Sequence, residues 1–157
     1  MRIVLTVVGA LVVAACGLLL ALIFGMRTGN RTVLDTVRKL NRAVMNPQQM
    51  KTAGQPGSWA SVIRHRGRKS GREYETPIGA RETEQGFVIS LPYGPEADWV
   101  QNVMAAGSAV LVHDGQEYSV DRPEVVPVET TRIIDDEPST VKIFGVRSAF
   151  LLRRRPI

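Results

Sequence analysis

An uncharged stretch close to the N-terminus constrains this chain more than any other feature. No charged residue occurs between Ile3 and Met26, and a helix over this stretch would be about 36 Å long. The hydrocarbon core of a bilayer is about 30 Å thick, so such a helix can cross it with some tilt. We therefore predict a transmembrane helix over residues 1–26, and the rest of the chain has room for one small domain.

Two other interpretations of this stretch remain open. One is a cleaved secretory signal, although its apolar region usually has only about 7 to 15 residues and a more basic start than the single Arg2. The other is a lipoprotein signal, because residues 13–17 resemble a lipobox with Cys16 as the lipidated residue. The sequence stays apolar from Cys16 to Phe24, where a mature lipoprotein usually turns polar. An uncleaved transmembrane helix is therefore the favoured interpretation.

Positive charge is concentrated directly after this stretch. One basic residue precedes it, and five follow it before residue 43: Arg27, Arg31, Arg38, Lys39 and Arg42. The positive-inside rule then places the C-terminal domain in the cytoplasm and makes the chain a single-pass protein of the cell membrane. The single cysteine lies inside the stretch, so the domain has no disulfide, which suits a reducing compartment.

The net charge of +5 arises beside the predicted helix. Residues 1–50 hold six basic residues and one acidic residue, whereas residues 51–157 hold fourteen of each. We expect the basic part to attract the anionic headgroups of the membrane lipid bilayer, by about 1 kcal/mol for each side chain near the surface. A domain without net charge is not typical of nucleic-acid-binding proteins, so we expect no nucleic acid partner.

An amphipathic helix is predicted next, within a basic juxtamembrane segment over residues 27–57. Four apolar residues recur at spacings of four, three and four, as on one face of a helix: Val33, Val37, Leu40 and Val44. The pattern ends at Asn46-Pro47, and a loop rich in glycine and proline follows. The apolar face could lie on the bilayer or pack on the domain, and the sequence leaves both open.

Residues 58–157 have the pattern of a small domain that is mainly β, in the α+β class. Short extended segments alternate with turn sequences, at residues 59–65, 72–81, 87–91, 109–112 and 118–128. We predict a short helix that Asp98 caps and Gly107 ends, between the third and fourth strands. A second helix is predicted over residues 139–152. Several short strands with one or two helices favour a small barrel.

Most catalytic patterns are missing from the sequence, and we predict no metal site. The informative segment is the basic turn over residues 64–72. Its two glycines let the backbone bend and point N–H groups inward, while Arg68, Lys69 and Ser70 supply charge and donors. Such a loop can hold an anion such as phosphate. A solvated basic hairpin is the alternative.

A second informative segment is the rigid loop over residues 91–95, which carries Tyr93. It is followed directly by Trp99 and Asn102 on one face of the predicted short helix. In isolation these residues are more typical of a packed core and a helix cap than of ligand contacts.

In their order and spacing these segments resemble the deazaflavin (coenzyme F420)-dependent nitroreductase and quinone reductase family of actinobacteria, which has a split β-barrel fold. The resemblance covers roughly residues 58–152. It is carried by Gly67-Arg68-Lys69-Ser70-Gly71, Thr76-Pro77-Ile78, Tyr93-Gly94-Pro95 and residues 98–103, and more loosely by residues 138–152.

The resemblance implies that the domain binds coenzyme F420, with FMN as the alternative, and transfers a hydride to a quinone or similar lipid-soluble acceptor such as menaquinone. It places the cofactor phosphate at Arg68, Lys69 and Ser70. Contacts along the cofactor and around its ring would come from Tyr74, Thr76, Pro77, Ile78, Ser90 and Leu91, while Trp99 and Asn102 would close the site. Tyr93 is the candidate catalytic residue, as acceptor contact or proton donor.

One departure from the family bears on activity. Well-studied members have tyrosines near the C-terminus, whereas the last tyrosine here is Tyr118 and only Phe144 and Phe150 are aromatic beyond it. This departure favours the alternative of a non-catalytic module that holds a flavin or lipid at the membrane. Split barrels of this type often dimerise, so a homodimer is a possible assembly.

Overall fold

The structure is a computed structural model that describes residues 2–155, so Met1, Pro156 and Ile157, which the predicted segments include, lie outside the described residues. The helices are α1 (Arg2–Arg27), α2 (Arg31–Leu40), α3 (Asn46–Gln49), α4 (Asp98–Ala106), α5 (Ile133–Asp136) and α6 (Pro138–Phe144). The strands are β1 (Ser61–Arg66), β2 (Glu73–Ile78), β3 (Ala80–Thr83), β4 (Gly86–Ser90), β5 (Ser108–His113), β6 (Gln116–Pro127) and β7 (Ser148–Arg154).

The strands form one antiparallel sheet in the order β2-β1-β5-β6-β7-β4-β3. Its two end strands, β2 and β3, follow each other in the chain and are joined only by Gly79. The sheet must therefore curl until its ends meet, with a split where β2 passes into β3. The predicted class, a mainly β split barrel preceded by one apolar helix, is confirmed.

Two apolar clusters hold the barrel together. All seven strands contribute to the first, and α4 closes it from one side; its fully buried members are Ile63, Phe87, Ile89, Val100, Val103, Leu111, Val120, Phe150 and Leu152. The second lies on the opposite face of β4 and β7, where α5 and α6 pack, and consists of Val88, Val128, Ile133, Val146 and Ala149. Alternate residues of β4 and β7 thus serve opposite faces of the sheet.

Helix α1 is long and apolar enough to cross a membrane. The qualifying part, Thr6–Arg27, has 22 residues, and its apolar 18-residue window contains no buried residue, whereas Gly25 and Met26 near its end are buried against the rest of the protein. A signal sequence meets the same criteria, so the anchor remains part of the proposal below. The end of α1 contacts the domain, because the Arg27 side chain donates to the carbonyl of Lys142, and Arg147 Nη2 donates to the Arg27 carbonyl over 3.3 Å.

The prediction that the second helix ends at Asn46-Pro47 was wrong. Helix α2 passes into a π-helical turn over Asn41–Met45, and α3 continues it with Pro47 in its first turn. Proline has no N–H and clashes with the carbonyl four residues before it. In the wider turn the Asn46 N–H bonds the carbonyl of Asn41, five residues back, and the chain remains helical past the proline.

The prediction of a helix over residues 139–152 was also wrong in its C-terminal half. Helix α6 ends at Phe144, with Gly145 in the left-handed conformation (φ 65°), and residues 148–154 form β7. This strand lies between β4 and β6 and hydrogen-bonds to both. Its run of apolar residues fits a buried strand as well as a helix, and partners on both sides select the strand.

Two of the remaining local predictions need correction. The extended segment predicted over residues 72–81 is divided at Gly79 into β2 and β3. The turn at Asp114-Gly115 joins β5 to β6 with φ of 49° and 78°, as in a tight hairpin. Helix α4 covers the predicted residues and ends at Gly107. Its N-cap is Ala97, however, because the carboxylate of Asp98 is bound by two arginine side chains and does not cap the helix.

Candidate functional site

The basic loop between β1 and β2 is closed by its own backbone. The Gly67 N–H donates to the carbonyl of Arg72 and the Gly71 N–H to that of Gly67, both over 2.8 Å. A Cβ at Gly67 would lie 2.5 Å from Ser70 Oγ and 2.7 Å from the ring of Tyr74, so a side chain there would have to displace both. Ser70 Oγ and the Tyr74 hydroxyl are 3.0 Å apart. The loop is thus a compact turn with its polar groups at the surface.

Asn102 of α4 attaches this loop to the barrel. The residue is 6% exposed, and its Oδ1 accepts from the Arg68 N–H over 3.1 Å and from Arg68 Nη1 over 2.8 Å. Its amide nitrogen is 3.3 Å from Nδ1 of His65, and Nε2 of His65 is 3.1 Å from the hydroxyl of Thr76. A continuous hydrogen-bonded chain therefore links the loop to β1 and β2.

Burial lowers the pKa of His65 below its usual value, and the neighbouring charge of Asp98 opposes this only in part. The ring is therefore neutral at pH 7. We assign the proton to Nε2, which lets Nδ1 accept from Asn102 while Nε2 donates to Thr76. The ring also stacks on Tyr74 with centroids 5.9 Å apart.

The Arg68 guanidinium is only partly free to bind a ligand. Its Nη2 lies 3.3 Å from Asp98 Oδ1, while Arg42 Nη2 lies 2.7 Å from the other carboxylate oxygen. The hydrogen bond from Arg42, followed by that from Arg68, lowers the pKa of Asp98 and keeps it ionised. Lys69, in contrast, is exposed and makes no ion pair within residues 2–155. Lys69, like Arg72, which is also exposed and makes no ion pair within residues 2–155, is therefore available to an anion.

A pocket of about 470 Å³ lies at the split between β2 and β3. Its barrel side is formed by Trp59, Gly79, Arg81 and Ser90, and its other side by residues 136–140 at the junction of α5 and α6. Trp59 is 67% exposed, and its ring lies beside Gly79. An uncovered indole beside a backbone without a side chain makes a flat apolar wall.

The polar part of this pocket is built around Glu137. Its side chain is 15% exposed, and its carboxylate accepts from Arg81 Nε over 3.0 Å and from Ser90 Oγ over 3.2 Å. The hydrogen bonds join β3, β4 and the start of α6 across the pocket. An apolar wall opposite a fixed set of donors and acceptors suits a flat ring that carries polar edges.

The structure separates the predicted site residues into groups. The loop and its support bring together Arg68, Lys69, Ser70, Tyr74 and Asn102, and Thr76 joins them through His65. Ser90 lies in the pocket at the split. Four others serve packing: Pro77, Ile78 and Leu91 are buried, and Trp99 is half-buried with its ring 5.4 Å from that of Phe150.

Tyr93 lies apart from both groups. Its side chain is half-buried but does not line the pocket, and its backbone carbonyl accepts from Nε of Arg38 in α2 over 3.1 Å. Burial raises the pKa of the Tyr93 phenol. The hydroxyl therefore keeps its proton at neutral pH and remains a donor.

Sequence reasoning missed Trp59, Arg81 and Glu137 in the pocket and the linking role of His65. These residues come from four separate parts of the chain, and each resembles an ordinary strand or helix-end residue. The one local signal was Trp59, a large aromatic next to a loop rich in glycine and proline. An exposed tryptophan in such a place often marks a binding surface.

The neutral state of His65 gives a pH prediction. Since its pKa is lowered in the folded protein, the unfolded chain takes up a proton first as the pH falls below about 6.5. The free energy of unfolding is expected to decrease from pH 7.5 to 5.5, by at most about 1.4 kcal/mol per pH unit. Denaturant unfolding of the full-length protein, followed by tryptophan fluorescence, measures this. His65→Gln should flatten the profile, and equal slopes for both proteins would contradict the assignment.

Comparison with known proteins agrees with the geometry of the fold. No protein-family model matches the chain, and no curated protein matches it in sequence. A solved structure described as a domain-swapped dimer matches with a TM-score of 0.50 and 14% identity, over 76% of this chain and 98% of that chain. This likeness establishes the class of fold, the split β-barrel of flavin-reductase-like proteins.

Two further solved structures match with TM-scores below 0.50. A structure described as an F420 reductase matches with a TM-score of 0.48 and 9% identity, over 68% of this chain and 92% of that chain. A structure of the F420-H2-dependent reductase FDR-A matches with a TM-score of 0.49 and 13% identity, over 60% and 94%.

Proposed function

We propose that this chain is a membrane-tethered oxidoreductase that transfers a hydride from reduced coenzyme F420 to a quinone or similar lipid-soluble acceptor. One observation carries the proposal. The anion-binding loop lies at the start of β2, and the pocket lies just beyond its end, at Gly79. A strand of this length spans about 20 Å. An extended cofactor with a phosphate-bearing tail at one end and a flat ring at the other fits these two places.

The residues present suit such a cofactor. At the loop, Lys69 is a free cation and Ser70 adds a hydroxyl beside the Tyr74 phenol, which suits a phosphate. At the pocket, the Trp59 ring offers an apolar face, while Arg81 and Ser90 supply polar contacts held in place by Glu137. The split-barrel fold supports the same placement, because the split leaves this groove open between its two end strands.

The cofactor, when bound, supplies a two-electron carrier that gives a hydride to an acceptor. The chain has to hold donor and acceptor in contact and limit water around them. We propose that the loop holds the tail, that Trp59 covers one face of the ring, and that Arg81 and Ser90 set its orientation. FMN remains the alternative cofactor, since a phosphate and a flat ring are common to both.

Tyr93 remains our proposed acceptor contact and proton donor. Its side chain does not line the pocket, so in this proposal the acceptor lies between the pocket and the loop over residues 91–95. Its raised pKa keeps the phenol protonated, as a donor must be. Arg38 holds the loop that carries Tyr93. Its guanidinium donates to the Tyr93 carbonyl, and its Nη2 lies 3.2 Å from Oε2 of Glu96. A proton given to the acceptor oxygen would complete the reduction that the hydride begins.

The acceptor class is supported by the position of the pocket relative to α1. Helix α6 forms part of the pocket wall with its first residues, and near its other end the carbonyl of Lys142 binds Arg27, the last residue of α1. With about 1.5 Å per helical residue, the pocket lies within roughly 10–15 Å of the end of the anchor. Such a site is accessible to a molecule dissolved in the membrane.

The proposal includes the segments predicted from sequence: an anchor over residues 1–26, a basic juxtamembrane segment over 27–57 and a barrel over 58–157. The basic residues after α1 favour a cytoplasmic barrel, where a reduced cofactor is available. A homodimer remains part of the proposal, and a structure with this fold is described as a domain-swapped dimer.

A non-catalytic binding module is the second candidate. The C-terminal aromatic residues favour it, because Phe150 is fully buried and Phe144 packs in the second apolar cluster. Neither can provide the phenol that tyrosines supply in the resembled family. Mixing reduced F420 with a menaquinone analogue and the protein, without oxygen, separates the candidates. Oxidation of the cofactor supports the enzyme, and binding without turnover supports the module.

Binding itself is tested by titrating the full-length protein with oxidised F420 and following the cofactor fluorescence. We expect a dissociation constant below about 100 μM, which corresponds to roughly 5.5 kcal/mol. No binding up to that concentration would overturn the proposal. The same titration with FMN decides between the two cofactors.

Lys69→Ala is expected to weaken F420 binding several-fold, on the order of 1 kcal/mol, since it removes one exposed charge from the phosphate site. The midpoint of thermal unfolding should stay unchanged because Lys69 makes no ion pair in the described chain. Lys51→Ala is the matched control, an exposed lysine whose side-chain amine bonds to Gln48 of α3. Equal affinity of both variants would show that the phosphate lies elsewhere.

A further inference from the structure

We infer that α2 and the π-helical turn lie flat on an anionic lipid bilayer, with Leu40, Val44 and Met45 inserted among the lipid headgroups. The inference rests on the anchor in the proposed function. It resolves the choice that the sequence leaves open, between a helix that packs on the domain and one that rests on lipid. The helix does both, through different faces.

The polar face of this helix is bound to the domain. Arg38 donates to the Tyr93 carbonyl and pairs with Glu96, and Arg42 pairs with Asp98 at 2.7 Å. These contacts turn the arginines toward the loop before α4. Because the two arginines are used in this way, the apolar stripe of the helix cannot also face the domain along its full length.

The apolar stripe is covered only in its first half. Val33 and Val37 are half-buried, and a Cβ on Gly25 of α1 would lie 2.7 Å from Val33 Cγ2, which shows how closely α1 packs there. Further along, Leu40 is 56% exposed, Val44 52% and Met45 49%. Three large apolar side chains at helical spacing therefore have no cover from the described protein.

Position and charge identify a lipid surface as the cover. Three residues separate the end of α1 from the start of α2, and the turn is closed by the Asn30 N–H, which donates to the Gly25 carbonyl over 2.9 Å. If α1 spans the membrane, α2 must start at its surface. Arg31 and Lys39 are exposed and make no ion pair within residues 2–155. Lys39 adjoins Leu40 in the chain, and Arg31 lies at the start of α2 near the end of α1. Free cations near an exposed apolar row match anionic headgroups above acyl chains.

The depth of a spin label tests this inference on the full-length chain in nanodiscs. The label is attached at Val44→Cys in a Cys16→Ser background, and its accessibility to oxygen is compared with that to a water-soluble nickel complex. The control label at Glu84→Cys lies in the exposed β3–β4 turn, at the end of β4 away from the anchor. We expect the oxygen-to-nickel ratio to be at least about threefold higher at position 44 in discs with phosphatidylglycerol. Discs of phosphatidylcholine alone should lower it.

Three results would overturn the inference: equal ratios at both positions, a ratio independent of anionic lipid, or dipolar broadening at position 44 that dilution with unlabelled protein removes. The last would identify a second copy of the chain as the cover. A label on the native Cys16 tests the anchor separately, since it should lie in the hydrocarbon core. If it does and position 44 is in water, only this inference fails. The titration with F420 does not use the spin labels, so it tests the proposed function separately from this inference.

Discussion

Replacing Asn102 by alanine is expected to weaken F420 binding about tenfold or more and to lower the free energy of unfolding by about 2–4 kcal/mol. The truncation leaves His65 Nδ1 without its partner in a buried place and removes the acceptor of the part-buried Arg68 N–H. Each buried polar group left unpaired costs about 1–3 kcal/mol. The loop also loses its link to α4, so the cofactor would have to order it on binding.

The control for this change is Met104→Ala in the same helix. Met104 is exposed and belongs to neither apolar cluster, so its truncation should leave affinity and stability nearly unchanged. Fluorescence titration with F420 and denaturant unfolding are to be run on both variants. If Asn102→Ala behaves like Met104→Ala, the loop does not depend on Asn102 and its place in the site has to be abandoned.

The second large effect is expected for Gly86→Ala, at the start of β4. A Cβ there would lie 2.0 Å from the carbonyl oxygen of Leu152 and 2.8 Å from the Cα of Arg153, both in the backbone of β7. Its φ of 155° is also rarely adopted by residues with a side chain. Since the backbone of a central strand cannot move aside, we expect a loss of about 4 kcal/mol or more. That is a large part of the stability of a small domain.

Gly57→Ala provides the comparison, because Gly57 also has a positive φ, 74°, but nothing lies within 4 Å of the added Cβ. Backbone strain alone should then cost about 1 kcal/mol. Urea unfolding followed by tryptophan fluorescence measures both. A Gly86→Ala protein that is no less stable than Gly57→Ala would be incompatible with the pairing of β4 and β7.

The features predicted correctly from sequence depend on neighbouring residues. Three features are of this kind: the uncharged stretch from Ile3 to Met26, the glycine-bounded loop at residues 67–71 and the helix that ends at Gly107. Each is recognised from contiguous residues. Local conformational preferences act over the same distance, and they were enough to place these elements. The order of the motifs in turn pointed to the split barrel, which the structure confirms.

The errors share a different cause. Residues 148–154 are apolar in a way that fits a helix or a buried strand, and only β4 and β6 on either side select the strand. Pro47 is a helix breaker by local rules, and a π-helical turn removes the conflict. Asp98 has the sequence position of a helix cap, but in the folded chain its carboxylate pairs with two arginines from distant segments. In each case, contacts made on folding outweighed a weak local preference.

Sequence alone therefore established the apolar N-terminal helix, the composition of the basic loop between β1 and β2 and the class of fold, because each rests on contiguous residues or on the order of short motifs. The pocket at Gly79, the bonds from Asn102 to the loop and the orientation of α2 depended on the folded chain. They join residues such as Trp59, Arg81 and Glu137, which are far apart along the chain, and no local pattern specifies which of them meet. Their positions follow from how the sheet curls and where the helices pack on it.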